Sequence, residues 1–189
     1  MVNRKNSLIT GVSVLTLGIL ACTVNIGGPA YPTPAIPIST EAVGELRSTL
    51  EAAVSAVSTS GQITLNITET QLTSYLTYQI QTQTQPILSN IQVYLQEGQI
   101  QLYGTAHEGY FEATAGFILT AGVDDRGQLQ IDLSSANFGP LPVPAGFLDV
   151  ITTAIKEAYT SALGPVATGF RLDSINIANG KMTIIGQIN

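Results

Sequence analysis

The chain has few of the residues from which catalytic and metal sites are usually built. Its 189 residues include one cysteine, one histidine and no tryptophan. A single cysteine excludes an internal disulfide framework and a zinc site made of several cysteines. The single histidine, His107, excludes a histidine-rich metal site and offers little for a hydrolase triad. We expect His107 to be a solvated residue near a strand end, and we expect no catalytic residue, metal or cofactor.

Basic residues are also scarce. The chain has 7 Lys and Arg against 13 Asp and Glu, for a formal net charge of −6. Arg4 and Lys5 belong to the N-terminal segment discussed below, so the remainder has five basic against thirteen acidic residues, a charge of −8. An acidic surface repels phosphate backbones, so nucleic acid is not an expected partner.

The balance of apolar and charged residues indicates one folded domain. Hydrophobic residues make up 44% of the chain and charged residues 11%. This composition is too apolar for a disordered chain, and its apolar runs are too interrupted for a polytopic membrane protein. The length suits a single domain of ordinary size.

The N-terminus has the pattern of an export signal. Arg4 and Lys5 precede 14 largely apolar residues from Leu8 to Ala21, which are too few for a membrane span of about 20 residues. The stretch ends in ILAC, with Cys22 as the last letter, and this resembles the lipobox of bacterial lipoproteins. The resemblance implies that residues 1–21 are a cleaved signal peptide and that Cys22 carries a diacylglyceryl group.

The lipobox also implies a location. A lipidated Cys22 would hold an exported protein on the outer face of the cell membrane, or on an outer membrane where the cell has one. Two or three acyl chains anchor stably, whereas one does so only marginally. The alternative is an ordinary cleaved signal, or an uncleaved anchor, in which Cys22 is incidental.

The stretch after Cys22 is rich in proline and glycine. Four prolines follow Gly27 and Gly28 within nine residues, namely Pro29, Pro32, Pro34 and Pro37. Such a composition does not propagate a helix and has little to bury. We therefore expect residues 22–38 to form a tether that does not pack on the domain, and residues 39–189 to form a single domain.

The domain begins with helical and strand patterns in alternation. Ser39 or Thr40 is placed to cap a helix that runs to about Ser58. Residues 62–67 alternate as a half-buried strand, and Thr68 with Gln71 has the spacing of a capping box for the next helix.

From residue 87 the pattern has the period of strands. It predicts strands around 91–93, 100–102, 111–123 and 129–133, a third helix over 145–163, and a closing hairpin at Asn179-Gly180. This order predicts an α+β fold, in which a curved antiparallel sheet is packed on one face by about three helices.

Two segments share one pattern. EGQIQLYG (97–104) and NGKMTIIG (179–186) both place apolar residues at alternate positions after a glycine. We expect two hairpins of similar build within one sheet.

Several acidic residues could be mistaken for functional groups. Asp124 and Asp125 are better explained by a hairpin turn than by a calcium loop, because the oxygen ligands of such a loop are missing. Glu108 and Glu112 lie about 13 Å apart by strand rise, so they are expected to be solvated edge residues and not an acid–base pair.

Longer motifs resemble a known group of proteins. ITLNITETQLTSYL, GQIQLYG, NFGPLPVP before a helix, and the closing INIANGKMTIIG are similar to segments of small bacterial envelope proteins with a tubular lipid-binding fold. That superfamily includes the bactericidal permeability-increasing proteins and the synaptotagmin-like mitochondrial lipid-binding domains. The resemblance spans roughly residues 40–189. It implies a strongly curved sheet that wraps a long helix and leaves an apolar cleft for acyl chains.

The cleft would be lined by apolar and small residues of the second helix, the long strand and the third helix. These residues are Leu72, Tyr75, Leu76, Ala113, Ala115, Phe117, Ile151, Ala154, Ile155 and Ala158. Small residues on two facing surfaces indicate either close approach of a helix to a sheet or a channel between them.

Three functions are therefore considered. The first is a membrane-anchored envelope lipoprotein that binds a lipid, a fatty acyl chain or another hydrophobic ligand without covalent chemistry. The second is an accessory lipoprotein that docks an unidentified protein partner and has no ligand cavity. The third, an enzyme, has the least support in the sequence.

The lipobox generates a direct prediction. The mature protein should begin at Cys22 and partition into detergent, because acyl chains would be attached to its thiol. Cys22→Ser should leave a slower-migrating precursor or a differently processed form on a gel. An unmodified thiol at Cys22, detected by intact-mass analysis of the wild type, would contradict this assignment.

Overall fold

This computed structural model describes residues 24–25, 27–82, 88–108, 111–140 and 170–188. The predicted signal peptide, Cys22 and the predicted third helix lie outside these residues. The elements in chain order are β1 Val24–Asn25, α1 Thr40–Ser60, β2 Gln62–Thr68, α2 Glu69–Gln81, β3 Leu88–Gln96, β4 Gln99–Glu108, β5 Phe111–Val123, β6 Leu129–Asn137, β7 Phe170–Ala178 and β8 Lys181–Ile188.

Both described helices begin where the sequence predicts. The hydroxyl of Ser39 accepts a hydrogen bond from the backbone N–H of Ala42 at 3.1 Å, which caps α1. At the start of α2, Gln71 N–H donates to the Thr68 hydroxyl at 3.3 Å, while Thr68 N–H donates to the Gln71 side chain at 3.0 Å. The predicted capping box is therefore confirmed.

The strands form two sheets. In the first, β3, β4 and β5 are antiparallel neighbours, and the far edge of β5 pairs with β1 at its start and with β6 over its second half. In the second, β8 lies between β2 and β7 and is antiparallel to both. The α+β class agrees with the sequence prediction. The prediction of a single sheet that contains both similar hairpins is wrong, because β3–β4 and β7–β8 lie in different sheets.

The two hairpins meet at their turns. Gly98 N–H donates to the carbonyl of Ile177 at 2.9 Å, and Gly180 N–H donates to the carbonyl of Leu95 at 2.9 Å. In each hairpin the acceptor residue lies three positions before the glycine of that hairpin's turn. The two hydrogen bonds between the hairpins are therefore equivalent. Asn179 and Gly180 have φ of 53° and 73°, and Glu97 and Gly98 have 52° and 77°. Two positive φ angles indicate a type I′ turn, so both turns present the same groups.

A second contact links the sheets. Leu172 N–H of β7 donates at 2.8 Å to the carbonyl of Gly127, which lies in the turn between β5 and β6. Asp124 shapes that turn by accepting from Arg126 N–H and Gln128 N–H at 2.9 and 2.7 Å. The prediction that Asp124 serves a hairpin turn is thereby confirmed.

One apolar cluster fills the space between the sheets and the helices. Its residues come from every described element except β1 and β6. They include Leu46, Ile63, Leu65, Leu76, Val93, Leu95, Ile100, Leu102, Phe117, Phe138, Leu172, Met182 and Ile184. Burial of this kind stabilises the fold by roughly 1.5–3 kcal/mol for each large side chain.

Helix α2 covers the free edge of β3. The Thr73 hydroxyl accepts from Val93 N–H at 3.0 Å and lies 3.5 Å from the Val93 carbonyl. The Glu69 carboxylate accepts from Leu95 N–H at 2.7 Å, and the Leu95 carbonyl already accepts from Gly180. The backbone groups of Val93 and Leu95 on this edge are therefore bonded within the chain, which hinders edge-to-edge association there.

The expected tether does not stand apart from the domain. Residues 27–38 lie across the outer face of the first sheet, and Ile36 is buried. The expectation that this segment does not pack on the domain is wrong for these residues. Prolines that exclude a helix do not exclude an extended segment whose backbone groups are bonded by side chains of a sheet.

The position of Glu69 generates a stability prediction. Glu69→Ala should lower the free energy of unfolding by about 1–3 kcal/mol, because the buried Leu95 N–H would lose its acceptor. Glu69→Gln should cost less, since an amide oxygen remains there. Urea unfolding measures both, with Glu51→Ala as the control because Glu51 is an exposed glutamate of α1. A loss no greater than that of Glu51→Ala would contradict the role given to Glu69.

Candidate functional site

The predicted cleft residues of the described chain lie in or against the core. Ala113 and Ala115 are 0% exposed, and Phe117 of the same face of β5 is 1% exposed. Leu76 of α2 is also buried, whereas Leu72 and Tyr75 are partly buried and pack against the core cluster. The other four predicted members, Ile151, Ala154, Ile155 and Ala158, lie outside the described residues.

The opposite face of the first sheet carries the N-terminal segment, residues 27–38. Its first bond continues the pairing of β1 with β5, since Thr114 N–H donates to the Gly27 carbonyl at 2.9 Å. Gly28 has φ of +129°, and a β-carbon there would overlap the backbone carbonyl of Thr114. Only glycine therefore allows the segment to lie this close to β5.

Polar side chains of β3 hold the middle of the segment. The side-chain amide of Gln92 accepts from Ile36 N–H at 2.6 Å and donates to the Ile36 carbonyl at 3.2 Å, as a neighbouring strand would. The Tyr94 hydroxyl lies 2.9 Å from the Pro32 carbonyl and 3.2 Å from the Pro34 carbonyl.

Tyr31 of the segment packs with two tyrosines of the sheet, Tyr94 and Tyr103. The ring of Tyr103 lies 6.2 Å from that of Tyr31 and 6.0 Å from that of Tyr94, the latter in an edge-to-face arrangement. Burial raises the pKa of the Tyr31 hydroxyl, while its bond to Thr105 acts in the opposite direction. Burial, followed by the negative charge of Glu69, raises the pKa of Tyr94. Both hydroxyls are therefore held as neutral hydrogen-bonding groups.

A row of three polar side chains crosses the same face beside the segment. The Ser89 hydroxyl of β3 lies 2.8 Å from Nε2 of His107 on β4. Nδ1 of that ring lies 3.3 Å from the Glu112 carboxylate on β5, and His107 and Glu112 are register partners. We name Ser89, His107 and Glu112 the polar row. It joins a hydroxyl, an imidazole and a carboxylate in the order of a hydrolase triad.

A β-bulge in β3 shapes the end of the polar row. Ser89 pairs with Thr105 and Gln92 with Tyr103, so Asn90 and Ile91 together oppose Gly104. Asn90 has φ of +50°, which is uncommon outside glycine. A bulge re-aims side chains, and here the Asn90 amide reaches Thr105 on the face that Ser89 occupies.

A closed set of hydrogen bonds stabilises the bulge. The Asn90 amide donates to the Thr105 hydroxyl at 3.4 Å, and that hydroxyl lies 3.1 Å from the Tyr31 hydroxyl. The Tyr31 hydroxyl in turn donates to the Asn90 carbonyl at 3.3 Å. The N-terminal segment therefore holds the bulge next to Ser89.

Sequence reasoning missed this arrangement. His107 is exposed near the end of β4, as expected, but the sequence did not indicate that both of its ring nitrogens have side-chain partners. Sequence reasoning placed Glu108 and Glu112 on one strand, and their separation by strand rise is wrong, because Glu108 ends β4 and Glu112 lies on β5. The useful observation was that β4 ends at Glu108 and β5 begins at Phe111. Antiparallel pairing across so short a connection places His107 opposite Glu112.

Comparisons of the chain gave no matching family model, no similar curated protein and no similar solved structure. Among the described residues, no cluster of His, Cys, Asp and Glu could hold a metal ion. No helix in this part of the chain is long and apolar enough to cross a membrane.

The raised pKa of Tyr94 generates a pH prediction. A pKa raised above the usual 10.0 means that the neutral hydroxyl stabilises the folded state. That contribution is complete below pH 10 and is lost as the pH rises through the raised pKa. Alkaline solution should therefore lower the melting temperature, because a tyrosinate would be buried beside the negative charge of Glu69 and would donate no hydrogen bond to Pro32 or Pro34.

Tyr94→Phe tests this cause. The variant should lose about 0.5–1.5 kcal/mol of stability near neutral pH and show a smaller further loss in alkali. Tyr78→Phe is the control, since Tyr78 is exposed on α2. Equal alkaline losses in the wild type and Tyr94→Phe would contradict the role given to this hydroxyl.

Proposed function

We propose that the chain is an exported envelope lipoprotein, anchored through Cys22, that binds a lipid or another hydrophobic ligand non-covalently at the membrane surface. The observation that carries this proposal is the pairing of Val24 and Asn25 with Phe111 and Glu112 at the start of β5. The chain thus joins the sheet two residues after Cys22.

This short separation gives the domain an orientation. Two extended residues reach about 7 Å, so a lipid on Cys22 would hold the start of β5 next to the membrane. A free tether of 17 residues would allow any face of the domain to approach. Because residues 27–38 pack on the sheet, only the end containing β1 and the start of β5 would lie close to the bilayer.

Strand β5 offers an apolar path from that end into the core. Phe111 is 48% exposed, and the next residues on its face, Ala113, Ala115 and Phe117, are buried. An acyl chain that entered beside Phe111 would meet small side chains before it reached Phe117. This arrangement supports a hydrophobic ligand that comes from the membrane.

A second function is favoured by the same burial. Ala113 and Ala115 are already completely covered without any ligand. A closed core of this kind would suit an accessory lipoprotein that binds a protein partner through its surface. Leu133 on the edge strand β6 and Ile185 on β8, each 37% exposed, would be available for such a contact.

Lipid uptake separates the two functions. Under the first proposal, native mass spectrometry of the purified wild type should show bound lipid, and the protein should take up a fluorescent fatty acid. Ala115→Phe should reduce that uptake with little loss of stability, because the ring would occupy ligand space. In a closed core the same ring would overpack and cost about 1–3 kcal/mol.

Thr114→Val serves as the matched control, because Thr114 lies on the opposite face of β5 and its backbone bond to Gly27 needs no hydroxyl. A large stability loss in Ala115→Phe, together with no lipid on the wild type, would reject ligand binding and support the accessory function.

A further inference from the structure

We propose that the polar row is a hydrolytic site for carboxylic esters, in which Ser89 is the nucleophile, His107 the general base and Glu112 the positioning carboxylate. This activity is additional to ligand binding and does not depend on the lipid anchor. It reverses the expectation that His107 has no chemical role.

The distances assign the roles. Nε2 of His107 lies 2.8 Å from the Ser89 hydroxyl, within the range for transfer of its proton. Nδ1 lies 3.3 Å from a Glu112 oxygen, and we assign the ring proton to Nδ1, which leaves Nε2 to accept the proton of Ser89. A carboxylate that fixes this tautomer also stabilises the imidazolium that forms during attack. The hydroxyl and carboxylate thus occupy opposite nitrogens, as the reaction requires.

Backbone pairing sets the relative positions of these three residues. His107 and Glu112 are register partners on β4 and β5, while Ser89 is the register partner of Thr105, which lies two residues from His107. All three side chains therefore project from one face of three adjacent strands. Sites on strands hold their side chains more firmly than sites on loops do.

The bulge supplies a hydrogen-bond donor beside the nucleophile, which an ordinary row of polar strand residues lacks. Asn90 follows the nucleophile, has a left-handed backbone and directs its amide to the face of Ser89. An amide beside the nucleophile can donate to the oxygen that becomes negative when an ester carbonyl is attacked. We assign this donor role to the Asn90 side chain, whose bond to Thr105 is long at 3.4 Å.

The reaction is a two-step hydrolysis that consumes water. The Ser89 oxygen forms a bond to the acyl carbon while its proton moves to Nε2 of His107. The bond to the alcohol oxygen then breaks, and that oxygen receives the proton from Nε2. Water attacks the acyl-serine and gives a proton to Nε2, and the Ser89 oxygen leaves with that proton, releasing a carboxylic acid.

The exposure of the site indicates its substrate class. His107 is 39% and Glu112 28% exposed at the side chain, so an ester can approach the open face directly. The row lies at the end of β5 that carries β1. If the proposed anchor holds that end at the membrane, acyl esters of membrane lipids are the substrates within reach.

The test uses the purified full chain with a fluorophosphonate probe and with p-nitrophenyl acetate and p-nitrophenyl butyrate. Peptide mapping should place the probe on Ser89, and Ser89→Ala and His107→Ala should abolish both labelling and hydrolysis. Glu112→Gln should lower kcat by up to about 10⁴-fold with little change in KM, since a wrong tautomer impairs only the chemical step. Glu112→Asp should recover part of that loss.

Asn90→Gly tests the donor, because glycine keeps the left-handed backbone and removes the amide. Its kcat should fall by about 10²–10³-fold. Ser135→Ala, an exposed serine on β6 of the same sheet, should keep full activity. Melting temperatures confirm that each variant is folded.

Absence of probe on Ser89 in folded wild-type protein would overturn the proposal whatever the variants do. Hydrolysis that survives Ser89→Ala would overturn it as well. Because neither readout needs a lipid on Cys22 or a bound ligand, failure here leaves the proposed function standing, and the converse also holds.

Discussion

The reciprocal bonding of the two hairpin turns is the contact on which the described fold depends. Each turn donates its glycine N–H to a strand carbonyl of the other hairpin, at 2.9 Å in both directions. Glu69 adds two hydrogen bonds to this contact between the hairpins. Its backbone N–H donates to the Gly180 carbonyl at 3.1 Å, and its carboxylate accepts from Leu95 N–H. The first turn of α2 thereby ties one sheet to the other, and the apolar cluster is enclosed between them.

Three of the four buried polar residues of α2 have hydrogen-bond partners, and among the described residues the Thr77 hydroxyl has none. Thr73, Ser74 and Gln71 are buried although a helix facing a core is normally apolar there. Gln71 belongs to the capping box, Thr73 serves the edge of β3, and Ser74 accepts from Ser39 N–H at 3.1 Å. Each buried hydroxyl or amide among these three therefore has a partner, as burial requires. The helix acts as a lateral cover for β3 as well as a layer over the core.

The sequence predicted the local elements well, because their causes are local. Ser39, the Thr68–Gln71 pair and Asn179-Gly180 specify their caps and turn through contacts within a few residues. The arrangement of the hairpins was not predictable in this way. Identical turn patterns suggested one sheet, whereas the pairing of Gly98 with Ile177 joins residues far apart in the chain.

The N-terminal segment was misjudged for a related reason. Its prolines lack N–H groups, so composition alone indicates a segment with nothing to bond. In the structure, proline carbonyls are acceptors for Tyr94, and the backbone of the buried residue Ile36 is bonded to the Gln92 amide. The side chains that make these bonds, Gln92 and Tyr94, lie on β3. Alternation along that strand predicts only that they face away from the core.

The same outward positions account for the candidate site. Alternation on β3 would place Ser89 and Asn90 on opposite faces, and the bulge cancels that alternation at one residue. A left-handed asparagine costs free energy of order 1–3 kcal/mol, and it persists only where its surroundings fix it. Tyr31 and Thr105 provide that fixation through Asn90 itself, and Tyr31 belongs to the segment that follows the predicted anchor. The segment that would hold the domain at the membrane is thus also the one that maintains the backbone beside Ser89.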